Sequence, residues 1–284
     1  MEVVETIESV RKMVAEARRQ NKRIGLVPTM GALHAGHISL IEAAVKETDF
    51  VVVTIFVNPT QFAPGEDFQQ YPRPLEVDLD ISRNTGAHLV FAPTAEHLYG
   101  CENLTWVNVD KLTLPLCGKT RPGHFRGVTT VCAKLFNIVL PDVAFFGQKD
   151  AQQAVVIKRM VKDLNFPVKI VVCPTVRERS GLAISSRNQY LTDRQKTDAE
   201  LIYKSLQKAR QLIKQGIDNP VEIIAEMTHV LRQAPAIQIE YIAIVDATTL
   251  QPLDVVNKKA LIALAAKLGS ARLIDNIIVD AAKE

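Results

Sequence analysis

Short apolar runs and amphipathic segments alternate through the first part of the chain. Residues 50–57 are β-branched or aromatic at every position, which predicts a strand covered on both faces of a sheet. Comparable runs predict further strands at 23–27, 89–92, 143–146 and 168–173. Apolar positions at helical spacing predict helices at 38–47, 75–84, 129–139 and 151–164. Strands and helices that alternate in this way indicate a parallel sheet with right-handed crossovers.

The pattern changes near residue 175. Two long helical stretches, at 193–215 and 221–233, are followed by strand-like runs at 239–245, 260–265 and 272–279. These runs predict a small antiparallel sheet packed against helices. We therefore predict an α/β protein. A Rossmann-like parallel sheet flanked by helices would occupy residues 1–175, and a smaller α+β C-terminal domain would occupy residues 176–284.

The start of the chain predicts an amphipathic helix rather than a targeting segment. Its apolar stripe comprises Val3, Ile7, Val10, Val14 and Ala17. Glutamates lie between these positions, and no basic start precedes an apolar core, so the pattern is not that of a signal peptide. No apolar run approaches the roughly 18 residues that span a bilayer, so we expect no membrane association.

Composition and charge exclude several classes of function. The chain has 284 residues, of which 47% are hydrophobic and 23% charged, and its formal net charge is +3. That charge is too small, and the basic residues too dispersed, to predict a nucleic-acid surface. The four cysteines are scattered without metal-ligand spacing, which favours free thiols in a reducing compartment. We therefore expect a cytoplasmic protein without a nucleic-acid partner.

The segment PTMGALHAGH at residues 28–37 lies where a predicted strand turns into a predicted helix. A helix N-terminus presents unpaired N–H groups and a partial positive charge, which suits a phosphate. His34 and His37 are three residues apart and would point in similar directions there. Two surface histidines in a loop are the alternative. Metal binding is disfavoured, because no acidic residue or cysteine lies nearby at ligand spacing.

Three more polar loops follow predicted strands, at residues 58–62, 147–153 and 185–188. In parallel sheets such loops meet at the carboxyl edge, where ligands bind. Lys149 precedes a helix, so its charge faces the positive end of the helix dipole, and a bound anion would remove that conflict. A solvated lysine, with Asp150 capping the helix, is the alternative.

The other polar residues of these loops allow two interpretations each. Gln61 and Gln153 are compatible with plain surface positions or with amide contacts to a small polyol acid. Residues 185–187 form either an ordinary hydrophilic loop or a phosphate clamp of two hydroxyls and a guanidinium. The basic, glycine-flanked segment at 121–127 stays ambiguous.

Taken together, these segments resemble the pantothenate synthetase (pantoate–β-alanine ligase) family of the HxGH nucleotidyltransferase superfamily. The resemblance rests on residues 28–37, 55–62, 121–128, 146–153 and 185–188, and it extends from about residue 24 to the RLIDN sequence at 272–276. His-x-Gly-His alone marks only the superfamily. Its combination with the two glutamine-bearing loops is far more specific.

The resemblance implies ATP-dependent condensation of pantoate with β-alanine through a pantoyl adenylate, with release of AMP and pyrophosphate. It also implies a homodimer and a requirement for Mg²⁺, with Asp78 as the matching acidic position. The implied catalytic residues are His34, His37, Lys149 and Arg187. The implied ATP site comprises Met30, His34, His37, Gly147, Lys149, Asp150, Val176, Ser185, Ser186 and Arg187. Pantoate would contact Gln61, Gln153, Met30 and Phe62.

Other functions remain as alternatives. The nearest is another HxGH-type nucleotidyltransferase that uses the same loops on a different small acid or phosphate. A tRNA-dependent synthetase is disfavoured by the near-neutral charge and by the lack of a basic appended domain. A non-catalytic nucleotide sensor would be expected to lose the phosphate-clamp residues, whereas His34, His37, Lys149 and Arg187 are all present.

Overall fold

The computed structural model describes residues 1–281 and contains two sheets. The first sheet has six parallel strands: β1 (Glu2–Val4), β2 (Ile24–Thr29), β3 (Phe50–Ile55), β4 (Leu89–Phe91), β5 (Val143–Gly147) and β6 (Lys169–Cys173). Their order across the sheet is β1-β4-β3-β2-β5-β6. The helices of this half are α1 (Ile7–Arg19), α2 (Ala35–Glu47), α3 (Leu75–Thr85), α4 (Ala95–Tyr99), α5 (Cys117–Thr120), α6 (His124–Val139) and α7 (Ala151–Asp163). The predicted parallel α/β sheet is therefore confirmed.

The strand order reverses between β2 and β5. From β2 the chain proceeds through α2 to β3 on one side, whereas from β5 it proceeds through α7 to β6 on the other. The two strands lie side by side, with Gly25 paired to Val143 and Leu26 to Ala144. Loops that leave neighbouring strands in opposite directions open a crevice at the carboxyl edge of a sheet. The loops after Thr29 and Gly147 border that crevice.

The sheet is buried on both faces, as the uniformly apolar strands predict. Val51, Val52 and Val53 have no exposed surface, and Phe145 of the neighbouring half of the sheet has none either. One face packs against α1 and α6, and the other packs against α2 and α3. Helices cover both faces because parallel strands need crossover connections on each side.

The C-terminal part contains the predicted antiparallel sheet. Its strands are β7 (Gln238–Asp246), β8 (Lys259–Leu268) and β9 (Ala271–Asp280), in the order β7-β8-β9. Two helices pack on it, α8 (Asp193–Lys214) and α9 (Pro220–Leu231). Thr192 and Gln195 form a capping box at the start of α8, and Asn219 caps α9 ahead of Pro220, so side chains satisfy the first N–H groups of both helices.

Several element boundaries differ from the sequence expectation. Residues 2–4 form an edge strand beside β4 instead of joining the first helix, and α1 begins only after Thr6, whose hydroxyl accepts from Ser9 N. Val3, which the apolar spacing placed in the first helix together with Ile7, is therefore part of a strand instead. Helices α2 and α6 begin earlier than predicted, at Ala35 and His124, because the apolar periodicity starts only after their first polar turns.

Two further observations concern membrane spans and cysteine thiols. Within residues 1–281, no helix is both long enough and apolar enough to cross a membrane. Cys101 is an exposed free thiol, and Cys117, Cys132 and Cys173 are buried free thiols.

Candidate active site

The four polar loops converge on one cavity of about 230 Å³ at the β2–β5 crevice. Its lining includes every residue predicted for the ATP and pantoate sites: Met30, His34, His37, Gln61, Phe62, Gly147, Lys149, Asp150, Gln153, Val176, Ser185, Ser186 and Arg187. A second cavity of about 810 Å³ adjoins it and shares Lys149, Ser185 and Arg187 with it. Together these cavities are large enough to hold two ligands side by side, one of them larger than the other.

His34 and His37 cap the N-terminus of α2. His34 is the N-cap residue, and its Nδ1 accepts from Gly36 N at 3.1 Å, while His37 Nδ1 accepts from His34 N at 3.3 Å. The ring centroids are 4.1 Å apart. Two of the helix-terminal N–H groups are thus satisfied by imidazoles instead of being available to a phosphate. Since each Nδ1 is an acceptor, a neutral ring carries its proton on Nε2.

Both imidazoles are uncharged at neutral pH. Burial, with a smaller contribution from the Lys149 ammonium, lowers the pKa of His34 to about 4. Burial lowers the pKa of His37 to about 3, with smaller contributions from His34 and Lys149. A buried imidazole beside another cation loses its proton in this way. The pair therefore supplies neutral Nε2–H donors, and the positive charge of the cavity comes from other side chains.

Asp78 supports the loop that leads to these histidines. Its side chain is 1% exposed, and its two oxygens accept from Ala32 N at 2.8 Å and Leu33 N at 2.7 Å. Gly31 adopts φ +81° at this turn, and a Cβ there would approach Asp78 Oδ2 to 2.8 Å. Only glycine suits both the backbone angle and the close contact.

The prediction of Asp78 as a magnesium ligand does not fit this geometry. Its carboxylate oxygens are used by backbone amides, and Asp78 does not line either cavity described above. Within residues 1–281, no group of three His, Cys, Asp or Glu side chains is arranged to hold a metal ion.

Lys149 lies in a 3₁₀ turn, Gln148–Asp150, between β5 and α7. Its Nζ is 3.9 Å from Asp150 Oδ2, and its side chain is 22% exposed. Asp150 precedes α7 but makes no side-chain capping bond, contrary to the alternative considered for this loop. The ammonium thus stands at the positive end of a helix, next to the two imidazoles whose pKa values it lowers.

Gln61, which also lines this cavity, is fixed from several directions. Asn58 Nδ2 donates to Gln61 Oε1 at 3.1 Å, and Gln61 Nε2 lies 2.9 Å from Met30 Sδ. His124 Nδ1 donates to the Gln61 carbonyl at 2.8 Å. Gly127 permits this arrangement, because a Cβ there would come within 2.4 Å of the Thr60 carbonyl oxygen. The ambiguous segment at 121–127 therefore packs directly on the glutamine-bearing turn.

The other pantoate-site candidates differ in how they are held. Gln153 lies on the first turn of α7 and is half-buried. The Phe62 ring packs edge-on against Phe68 and Tyr71. Sequence reasoning missed Asn58 and His124, although both stand within motifs that it singled out. Their position within these motifs was the available signal. Their contacts with Gln61 could not be predicted, because they depend on the tertiary fold.

Arg187 is paired with a carboxylate that sequence reasoning missed. Asp67 accepts from Arg187 Nε and Nη2, both at 2.9 Å, in a two-pronged ion pair. The preceding Glu66 pairs in the same way with Arg121. Tyr71 Oη also lies 3.4 Å from Ser186 Oγ. The loop between the 3₁₀ turn Pro59–Gln61 and α3 therefore closes over the cavity onto the Ser185–Arg187 segment.

Replacing Asp78 by alanine tests whether it holds the loop or a metal. The change leaves two buried amides without an acceptor, so the free energy of unfolding falls by about 2–5 kcal/mol in urea denaturation. The His34 loop loosens, and affinity for an ATP analogue falls in calorimetry. Raising the Mg²⁺ concentration does not restore it. Asp80→Ala on the same helix, with an exposed carboxylate, is the control. Normal stability together with rescue by Mg²⁺ would show that Asp78 is a metal ligand.

Comparisons with known proteins identify the family of this chain. The family model described as pantoate-beta-alanine ligase matches residues 2–278. A pantothenate synthetase from Thermoanaerobacter pseudethanolicus is 53% identical over 278 residues, which cover 98% of each chain.

Solved structures show the same relationship. The pantothenate synthetase of Thermus thermophilus superposes with a TM-score of 0.93 at 44% identity, covering 98% of this chain and 99% of that one. A pantoate-beta-alanine ligase from Francisella tularensis, complexed with beta-gamma ATP and beta-alanine, superposes with a TM-score of 0.81 at 38% identity, covering 98% of this chain and 97% of that one. On its sequence, its fold and the residues gathered at the β2–β5 crevice, this chain belongs to the pantoate–β-alanine ligase family.

Proposed function

We propose that this protein condenses pantoate with β-alanine at the expense of ATP, through a pantoyl adenylate, and releases AMP and pyrophosphate. One observation carries the proposal: a single cavity is lined both by the amide side chains of Gln61 and Gln153 and by the cationic side chains of Lys149 and Arg187. A small hydroxy acid and a triphosphate would therefore meet beside His34 and His37. The family membership of the chain supports the same assignment.

In the first step, the pantoate carboxylate attacks the α-phosphorus of ATP. A new oxygen–phosphorus bond forms, and the bond to pyrophosphate breaks. The carboxylate is already ionised at neutral pH, so this step needs no general base. It needs alignment and neutralisation of charge on the phosphate oxygens. Lys149 and Arg187 supply the charge, and the imidazoles supply Nε2–H donors.

The remaining ATP-site residues surround these groups. Met30 and Gly147 border the crevice where β2 and β5 end, and Asp150 follows Lys149 in the same turn. Ser185, Ser186 and Val176 approach from the C-terminal side. We assign the ribose to the Gly147–Asp150 side and the phosphates to the two serines. Gln61 and Gln153 hold pantoate, with Met30 and Phe62 lining its pocket.

In the second step, the β-alanine amine attacks the acyl carbon of the adenylate, and AMP leaves. The amine arrives mostly as an ammonium and must first lose a proton. His34 and His37 each have Nδ1 bonded to a backbone amide and Nε2 protonated, so in this arrangement neither ring has a free lone pair. Both rings therefore contribute as hydrogen-bond donors through Nε2–H. Closure of the loop that carries Tyr71, through the contact between Tyr71 and Ser186, would keep water from the mixed anhydride.

The proposal also includes a requirement for Mg²⁺, a homodimeric assembly and a cytoplasmic location. Mg²⁺ would enter bound to the phosphates of ATP, because Mg²⁺ in proteins is held largely by substrate phosphates and water. The resemblance to the family implies a homodimer, and we propose that assembly here. Free thiols fit the reducing conditions of the cytoplasm.

The reaction can be tested by mixing the enzyme with ATP, Mg²⁺ and pantoate before any amine is added. The proposal predicts pyrophosphate release and an acyl-adenylate, detected by quenched-flow mass spectrometry. Addition of β-alanine should then yield pantothenate and AMP. No release with pantoate, but release with another acid or phosphate, would instead establish another nucleotidyltransferase of the same superfamily.

His34→Ala and Lys149→Ala should each slow adenylate formation by tens-fold or more, because loss of one preorganised donor costs about 2.7–4 kcal/mol in the transition state. Single-turnover kinetics measures the rate. Lys158→Ala, an exposed lysine further along α7, is the matched control and should leave the rate unchanged. Wild-type rates in both site variants would remove these residues from the mechanism.

Asp67→Asn tests the ion pair at Arg187. A triphosphate must share the guanidinium with Asp67 or displace it, and the pair is only partly exposed. Removing the carboxylate should tighten binding of a non-hydrolysable ATP analogue by about fivefold, equivalent to a partly exposed ion pair of about 1 kcal/mol. Calorimetry measures the dissociation constant, and Asp80→Asn controls for net charge. Unchanged or weaker binding would contradict competition between Asp67 and the phosphates.

A further inference from the structure

We propose that Asn276, in the C-terminal sheet, is a positioning residue that holds the Lys149 ammonium at the phosphate site. This inference rests on the proposed function, because it assumes that Lys149 acts on the triphosphate. Asn276 lies on β9, 127 residues from Lys149 in sequence, within the RLIDN segment that the proposed reaction leaves without a role. It lines the larger of the two adjoining cavities but not the smaller one.

The side-chain amide of Asn276 is fully used on one short turn. Its Nδ2 donates to the carbonyl oxygens of Lys149 at 2.8 Å and Gln148 at 3.0 Å. Its Oδ1 accepts from Gln148 Nε2 at 2.9 Å. The residue is 4% exposed. Two donors and an acceptor of a buried amide are thus satisfied by the turn that carries the lysine.

The Gln148–Asp150 turn depends on such support. It is a single 3₁₀ turn between β5 and α7, and 3₁₀ turns have poor hydrogen-bond geometry of their own. Lysine has a long flexible stem, so the position of its ammonium depends on how firmly its backbone is held. Asn276 fixes that backbone at the carbonyl of the lysine itself.

Asp275, the residue before Asn276 on β9, connects this strand to the chain segment that carries Arg187. Asp275 is 2% exposed and accepts from Arg177 Nη1 at 2.5 Å and Nη2 at 2.9 Å. Arg177 also donates to the Gly181 carbonyl at 3.1 Å and stacks on Tyr203, with 3.9 Å from Cζ to the ring centroid. The Arg177 turn leads directly into Ser185–Arg187.

Two adjacent side chains of β9 therefore hold the two loops that bring positive charge to the cavity. Asn276 holds the lysine loop, and Asp275 holds the turn ahead of the arginine. Asp275 Oδ1 also accepts from Asn276 N at 2.7 Å, which joins the two contacts into one network. The spacing between the ammonium and the guanidinium is thus set by the C-terminal sheet as well as by the parallel sheet.

A double-mutant cycle with Asn276→Asp and Lys149→Ala tests this inference in the full chain. The aspartate is nearly the same shape, but it places oxygen atoms against two carbonyl oxygens and displaces the turn. In the wild-type background we expect Asn276→Asp to slow adenylate formation by about tenfold or more, since contacting groups couple strongly. In the Lys149→Ala background it should change the rate by less than about twofold, because the group that it positions is absent.

Matched variants separate positioning from general damage. Asn257→Asp, an exposed asparagine of the same C-terminal part, should leave the rate unchanged. Urea denaturation follows stability in each variant. If Asn276→Asp does not fold, Asn276→Ala completes the same cycle, because it removes the three hydrogen bonds without adding a charge.

The outcomes distinguish this inference from the proposed function. Equal rate losses from Asn276→Asp in both backgrounds would overturn the positioning role and leave the reaction intact. An unaffected rate in the wild-type background would do the same. A Lys149→Ala variant with a normal rate would overturn the role of the lysine, and the role of Asn276 with it.

Discussion

The side-by-side pairing of β2 with β5 is the constraint on which the rest of the site depends. Because the chain leaves these strands in opposite directions, their carboxyl ends open a crevice that neither loop can cover. The loop after β2 brings the two histidines to one wall, and the turn after β5 brings Lys149 to the other. The other residues that line the cavity are arranged around this crevice.

Charge is distributed within the crevice in a consistent way. The imidazoles are neutral because burial and the nearby ammonium lower their pKa values, so they donate hydrogen bonds without adding repulsion among cations. Arg187 and Arg121 are each held by a carboxylate from one loop, at Asp67 and Glu66. Buried or half-buried guanidinium groups need such partners. A triphosphate would enter a site whose cations are already oriented.

The sequence was informative where local pattern and local chemistry coincide. The position of His34 and His37 at the cavity could be predicted because a short apolar run, two glycines and a helical stripe mark one strand–loop–helix unit. Lys149 could be predicted to lie there because a lysine at a helix start is electrostatically unfavourable without an anion. The sheet followed from apolar runs that have no polar face. The support that Asp78 gives to the loop could not be predicted, because a carboxylate that serves two amides 45 and 46 residues away looks, in sequence, like any acidic residue.

The contacts that sequence reasoning missed are long-range ones. Asp67 meets Arg187 across 120 residues, and Asn276 meets Lys149 across 127. No periodicity or spacing connects such pairs, since each depends on how two loops or two domains pack. The prediction for Val3 was wrong for the opposite reason. Its spacing from Ile7 matches a helix, but its backbone forms the edge of the sheet beside β4.

A crystal structure of the protein with a non-hydrolysable ATP analogue and pantoate tests the central claim most directly. The account predicts phosphate oxygens within hydrogen-bond distance of Lys149 Nζ, the Arg187 guanidinium and the Nε2 atoms of His34 and His37. The pantoate carboxylate should face the α-phosphorus, with its hydroxyl groups on Gln61 and Gln153. A triphosphate bound away from the β2–β5 crevice, or one that lies there without contacting Lys149, would contradict the account.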